Sequence, residues 1–145
     1  MPDLPRAAKI ARKGKWSGPA ARVVLRYDDR LLRRKRLEAE GGLAFLADLP
    51  ETLGLDAGDA FVLDDGRFVE VAAADEPLYT ITGDLPRLAW HIGNRHSPCE
   101  IREGSLVIRA DHVLRGMLEG LGAKVSETSG PFAPEGGAYG HGRTM

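Results

Sequence analysis

The feature that most constrains this chain is a change of period near residue 75. Before it, short apolar runs alternate with turn residues. After it, strand-like and helix-like patterns take turns. A chain that switches period in this way folds as an α+β protein with two differently built halves. The first half has one sharp marker. Ala60-Phe61-Val62-Leu63 and Arg67-Phe68-Val69-Glu70-Val71 flank Asp64-Asp65-Gly66, and Asp-Gly between β-branched and aromatic runs predicts a hairpin. Arg22 to Tyr27 is another short run, ended by Asp28-Asp29. Leu31 to Glu40 is heavily charged and reads as strand and loop. Gly41-Gly42 breaks the chain, and Leu43-Ala44-Phe45-Leu46 follows, stopping at Asp48-Leu49-Pro50. Residues 1–75 are therefore expected to form a small β-sandwich or barrel.

The second half reads β-α-β-β-α-β, a ferredoxin-like order. Leu78 to Thr82 is a strand. Asp84 caps a helix with Pro86 in its first turn and Leu85, Leu88, Ala89 and Ile92 at helical spacing. A strand region spans Glu100 to Arg109, bent at Glu103-Gly104. Asp111 caps a second helix with Val113, Leu114, Met117, Leu118 and Leu121 as its apolar face, and Gly122 ends it. Lys124 opens a last strand. This domain is expected over residues 76–128, followed by a mobile Gly/Pro-rich tail over 129–145.

Composition excludes several classes. The single cysteine, Cys99, rules out an internal disulfide framework and a four-cysteine zinc site. No apolar run approaches a membrane span, and the stretch from Met1 to Trp16 lacks the apolar core of a secretory signal, so a cytoplasmic location is expected. Charge is uneven: residues 1–36 carry a balance of +9 and the rest −10. A basic front can meet an acidic partner or nucleic acid, but Lys and Arg also blunt exposed sheet edges, and that second reading is favoured. RNA binding by the ferredoxin-like half is disfavoured because Leu106-Val107-Ile108, on its expected strand, carries no aromatic to stack a base.

Catalysis finds no support. The chain has no phosphate-binding Gly-rich loop and no nucleophile elbow, and Cys99 with His96 lacks a third, orienting group. Metal binding is the better use of the histidines His91, His96, His112 and His141, since neutral imidazole suits nickel, copper and zinc. His91 and His96 are five residues apart, about 140° around a helix, so they do not share one ion if both are helical. His91, beside the apolar stripe, reads as structural. His96 lies past the helix end, where it can reach outward. One imidazole holds a metal weakly, and a two-fold axis that brings two copies of His96 together would cure this. Such a site should lose metal as pH falls through the ordinary imidazole range, about 6.5.

Leu88-Ala89-Trp90-His91-Ile92-Gly93-Asn94-Arg95-His96 closely resembles the H-[IL]-G-N-R-H signature of the UreE urease accessory proteins, which are nickel metallochaperones. Asp111-His112-Val113-Leu114 with Met117-Leu118 and Leu121-Gly122-Ala123 resembles the family's second-helix motif, and Pro131 to Tyr139 its exit segment. The resemblance implies an N-terminal polypeptide-binding β domain and a C-terminal ferredoxin-like domain that dimerises. It implies that His96 from each subunit ligates nickel at the homodimer interface. His112 would bind additional metal nearby, and His141 would serve as the tail histidine. It further implies delivery to the urease apoprotein with other accessory proteins, including a GTPase, and no enzymatic activity. Two alternatives stay open: a general zinc or copper binder, and a polypeptide-binding chaperone module without a dedicated nickel role. The tail is not histidine-rich, which points to transfer of few ions per dimer and not to storage. Cys99 departs from the family pattern. It reads either as an added soft ligand or, preferably, as a small buried apolar side chain.

Overall fold

The computed structural model describes residues 3–136. The chain divides into two compact units, one running up to Ala73 and the other over Ala74–Glu135.

The first unit is a six-stranded sheet built from β1 (Arg6–Ala11), β2 (Ala20–Leu25), β3 (Leu31–Glu38), β4 (Ala44–Gly54), β5 (Ala60–Leu63) and β6 (Phe68–Ala73). Its order is β2-β6-β5-β1-β4-β3. The β5–β6 hairpin turns at Asp64-Asp65-Gly66, where Gly66 adopts φ 88° and donates its N–H to the Leu63 carbonyl at 2.9 Å. A hydrogen bond from Glu40 N–H to the Arg22 carbonyl at 2.8 Å draws the ends of the sheet toward each other, so the sheet curls around its core. Alternation supplies that core. Phe45, Ala47 and Leu49 of β4 point inward, and Phe45 meets Phe61 at 5.2 Å between tilted rings. Such an aromatic pair adds about 0.5–1.5 kcal/mol beyond its area.

Three details differ from the pattern in the sequence. β1 was not anticipated, because Arg-Ala-Ala-Lys-Ile-Ala has almost no β-branched or aromatic residue, yet it sits mid-sheet with Ala7 fully buried. The small side chain is what its place between two strands allows. β4 does not stop at Pro50. The register between β3 and β4 shifts between Leu32 and Arg34, and Pro50 lies in that irregularity, where a missing N–H breaks no ladder bond. β3 is strand throughout. Its Arg33, Arg34, Lys35 and Arg36 are all exposed on an edge strand, as expected of a solvated basic edge.

The second unit comprises β7 (Asp75–Thr82), α1 (Leu85–Asn94), β8 (Glu100–Arg102), β9 (Ser105–Arg109), α2 (His112–Gly120) and β10 (Lys124–Pro131). The sheet order is β10-β7-β9-β8, with every neighbouring pair antiparallel. This is the ferredoxin-like arrangement read from the sequence. Asp84 caps α1 by accepting from Arg87 N–H at 3.3 Å, and Asp111 caps α2 by accepting from Val113 and Leu114 N–H at 2.9 and 3.3 Å. Leu88 and Ile92 of α1 and Leu114 and Leu118 of α2 pack on Tyr79, Ile81, Leu106, Ile108 and Val125. Val113, placed on the apolar face by the sequence, instead looks outward: at about 100° per residue it lies at the margin of that stripe. β10 continues past Ser129, where the tail was expected to begin. Ser129, Gly130 and Pro131 pair with Pro77, Glu76 and Asp75, which also extends β7 upstream of Leu78.

Candidate metal site

The antiparallel pairing fixes which loops meet. α1 returns toward the start of β7, and β9 ends at Arg109 opposite Leu78, also near the start of β7. The exit of α1, the entry of α2, the start of β8 and the end of β10 therefore gather at one end of the sheet. His96 and His112 both lie there.

α1 stops in a two-bond turn. Ser97 N–H donates to the Ile92 carbonyl at 3.2 Å and His96 N–H to the Gly93 carbonyl at 2.9 Å. This is a Schellman stop with His96 in the left-handed position that glycine normally fills. His96 has φ 56° and is the one non-glycine with positive φ among the described residues. A side chain in that conformation costs about 1–2 kcal/mol. In return the turn throws the imidazole out of the helix into solvent. The last carbonyls of α1 carry the negative end of the helix dipole, which favours a bound cation beside them.

His112 sits in a different field. It is the first residue of α2, exposed, at the positive end of a helix dipole. A cation there is opposed by the helix, and the carboxylate of the adjacent Asp111 is already committed to two backbone N–H groups. His91 is half-buried and edge-on to Trp90 at 5.0 Å, consistent with a structural role. His141 lies outside the described residues. Among the described residues, no group of three or more His, Cys, Asp or Glu side chains is placed to hold a metal within one chain.

Cys99, three residues on, packs against the helix–sheet core. Burial, with the carboxylates of Glu135 and Glu100 adding to it, pushes its thiol up to about 11. Burial and the two neighbouring carboxylates thus favour the protonated thiol at neutral pH. Its Sγ approaches the Glu100 carbonyl at 3.8 Å as a weak donor.

A feature that sequence reasoning missed lies beside it. Glu100 Oε1 accepts from Ala133 N–H at 2.9 Å, and Glu135 N–H donates to the Cys99 carbonyl at 2.9 Å. Phe132, just before Ala133, is fully buried. The other Glu100 oxygen pairs with Arg102. Nothing in the spacing of Glu100 marks its contact with Ala133 in advance, since that partner is a backbone group 33 residues away.

The chain matches two family models. Residues 4–74 match the N-terminal domain of the UreE urease accessory protein, and residues 71–145 match its C-terminal domain. It is 58% identical over 146 residues to a urease accessory protein UreE of Cereibacter sphaeroides, covering 100% of this chain and 80% of that one. It is 56% identical to the UreE of Rhodobacter capsulatus, covering 100% of this chain and 93% of the relative. With the UreE of Ruegeria pomeroyi the identity is 58%, over 98% and 96% of the two chains. Both halves thus find the same family in the same order, and that family is one of accessory proteins, not of enzymes. The chain belongs to the UreE urease accessory protein family.

Proposed function

We propose that the protein is a nickel metallochaperone that holds Ni(II) between two copies of itself and passes it on during urease assembly. His96 of each copy supplies the principal ligand. His112 and His141 are auxiliary donors for a further ion or for release. The observation that carries this reading is the backbone of His96, an exposed imidazole held at a strained helix exit that glycine would occupy at lower cost. Strain of this kind persists where it serves a function. The lack of a three-donor group within one chain, among the described residues, favours an ion shared by two chains. Trp90, Ile101 and Val113 leave exposed apolar side chains on the second unit, at 63, 57 and 57% accessibility, which an interface between copies would cover. The recipients are the urease apoprotein and the other accessory proteins, including the GTPase, in the cytoplasm. The first unit, residues 1–75 as read from the sequence, docks the polypeptide partner. Among the described residues, no helix is long and apolar enough to cross a membrane.

Titration calorimetry with nickel on the parent and on His96→Ala, each with mass from light scattering, tests the site. The expected result is about one tightly bound ion per dimer, weakened a hundredfold or more in the variant, with the dimer retained. Equal affinity in the two proteins overturns the assignment of His96. Zinc and copper titrations on the same samples measure how far the site prefers nickel, since imidazole alone does not exclude either.

A further inference from the structure

A bulge in β1 changes which side chains this central strand shows to solvent. Ala7 pairs with Leu63, and both are buried in the core of the first unit. Unbroken alternation would turn Lys9 inward as well. The register instead shifts between Ala7 and Lys9, so Lys9 stands opposite Val62, and Ile10, opposite Phe61, takes the next inward place. Bulges re-aim side chains in this way and are enriched beside functional sites. Arg6, Ala8 and Lys9 are all exposed. With Val62, Asp64 and Gly66 they line a groove of about 370 Å³, at the small end of the range for ligand clefts, about 300–1,000 Å³. Ala8 and Val62 give it an apolar lining.

The face around the groove is basic. Arg36, Leu46 and Arg6 lie in one cross-strand row, and Arg34 stands opposite Asp48. Residues paired across strands point to the same face. The next row buries Ala47 and Ala7, so this one faces out. Arg6 Nε donates to Asp48 Oδ2 at 2.7 Å. Lys9, Arg34 and Arg36 make no ion pair among the described residues. Arg34 and Arg36 also blunt the β3 edge. Lys9 has no edge to blunt, because β1 has a strand on either side.

We propose that this outer face is where the first unit takes hold of its polypeptide partner, and that it selects an extended segment rich in carboxylates, with one apolar side chain seated on Ala8 and Val62. The spread of charge favours a chain over a small anion. Arg36 and Arg6 flank β4 two strand spacings apart, about 10 Å, and Lys9 is about 10 Å along β1 from Arg6. A single small anion reaches one of these exposed cations at a time. Carboxylates spaced along an extended segment reach several together. Among the described residues that line the groove, Asp64 is the one carboxylate, so the acidic groups of the segment lie toward Lys9 and Arg36. The inference rests on the reading of the first unit as the one that docks a polypeptide, and it is independent of the metal site.

Fluorescence anisotropy on the full chain decides it, with a short labelled peptide in which glutamate alternates with valine. The parent should bind this peptide about tenfold or more tightly than one with lysine in place of glutamate. Lys9→Glu should weaken binding about tenfold. Ala8→Phe, which fills the groove and changes no charge, should weaken it about fivefold. Both positions are exposed, and circular dichroism checks that both variants fold. Lys15→Glu, the same charge change in the turn after β1, should alter affinity by less than about twofold, since exposed charges more than about 8 Å apart are screened at physiological salt. Binding of neither peptide, or of both alike, overturns the acidic chemistry. Parent-like affinity in Lys9→Glu and Ala8→Phe overturns the face. Cross-linking of the urease apoprotein to the parent, mapped by mass spectrometry, separates this inference from the reading beneath it. Cross-links at Lys9 and its neighbours support the face. Cross-links elsewhere in residues 3–73 overturn the face and leave the docking role with the first unit. Cross-links confined to Ala74–Glu135 sink the docking role itself.

Discussion

Helix α2 stops at Gly122 and helix α1 at His96, and both stops use the same pair of hydrogen bonds. In α2, Ala123 N–H reaches the Leu118 carbonyl and Gly122 N–H the Glu119 carbonyl, each at 3.0 Å. In α1 the equivalent bonds run from Ser97 to Ile92 and from His96 to Gly93. Gly122 has φ 89° and His96 φ 56°. The two exits therefore ask the same thing of the backbone, and only one is answered by the residue that meets it without strain. Where a helix only has to end, this chain uses glycine. Where the exit carries the exposed imidazole of His96, the backbone accepts strain. The surroundings agree: the α2 exit leads directly into β10, while the α1 exit leads through Ser97 and Pro98 to the half-buried Cys99, whose carbonyl accepts from Glu135 N–H.

Three changes sharpen or break this contrast. The largest effect concerns Cys99, which the α1 exit folds inward. With its thiol held up to about 11, its thiolate fraction at pH 8 is low. Alkylation by iodoacetamide should run roughly ten- to a hundredfold slower than for an unhindered cysteine, and should accelerate toward pH 11. The sign for stability follows. The unfolded thiol ionises first, near its ordinary value of 9.0, so stability falls as pH rises from about 9 to 11. Fast reaction at pH 8 would mean that the α1 exit does not pack as described.

Next, Gly122→Ala should destabilise the protein by about 1 kcal/mol in a urea titration. A Cβ at Gly122 would meet no heavy atom within 4 Å, so the effect isolates the backbone requirement. The smallest effect has the opposite sign. His96→Gly should stabilise by about 0.5–1 kcal/mol, the relief of a left-handed side chain less the added freedom of the unfolded glycine. It should at the same time lose tight nickel binding. A destabilised His96→Gly protein would show that the imidazole is part of the packing and not a side chain held out at a cost.

Much of this was legible in the sequence, and the rest was hidden for identifiable reasons. The Asp64-Asp65-Gly66 hairpin, both aspartate caps, the Gly122 stop and the β-α-β-β-α-β order rest on local chemistry, and local chemistry is written in consecutive residues. β1 was hidden because a central strand that must pass between two neighbours can be built on alanine, which carries no strand signal. β4 was cut short by Pro50, whose tolerance depends on a register shift against another strand. At the candidate site, the exposure of His96 was readable from its place beyond the helix. Its left-handed backbone was not, because a histidine there violates the usual preference. Glu100 was invisible because it acts on a backbone N–H brought to it by the whole sheet.

The central position of β1 has a consequence for how the chain is made. Of the six strands of the first unit β1 comes earliest in the chain, and its neighbours are β4 and β5, with Arg6 opposite Leu46 and Ala7 opposite Leu63. β2 waits longer still, since its one strand partner is β6, up to Ala73. β1 therefore has no strand partner until β4 has emerged, and β2 none until nearly the whole first unit has, and closing those long loops slows the final assembly of the sheet. During that interval the basic residues that dominate the first part of the chain keep the nascent segment charged and soluble. The basic residues of β3 that line an edge of the finished sheet are thus part of the same charged stretch that precedes any edge.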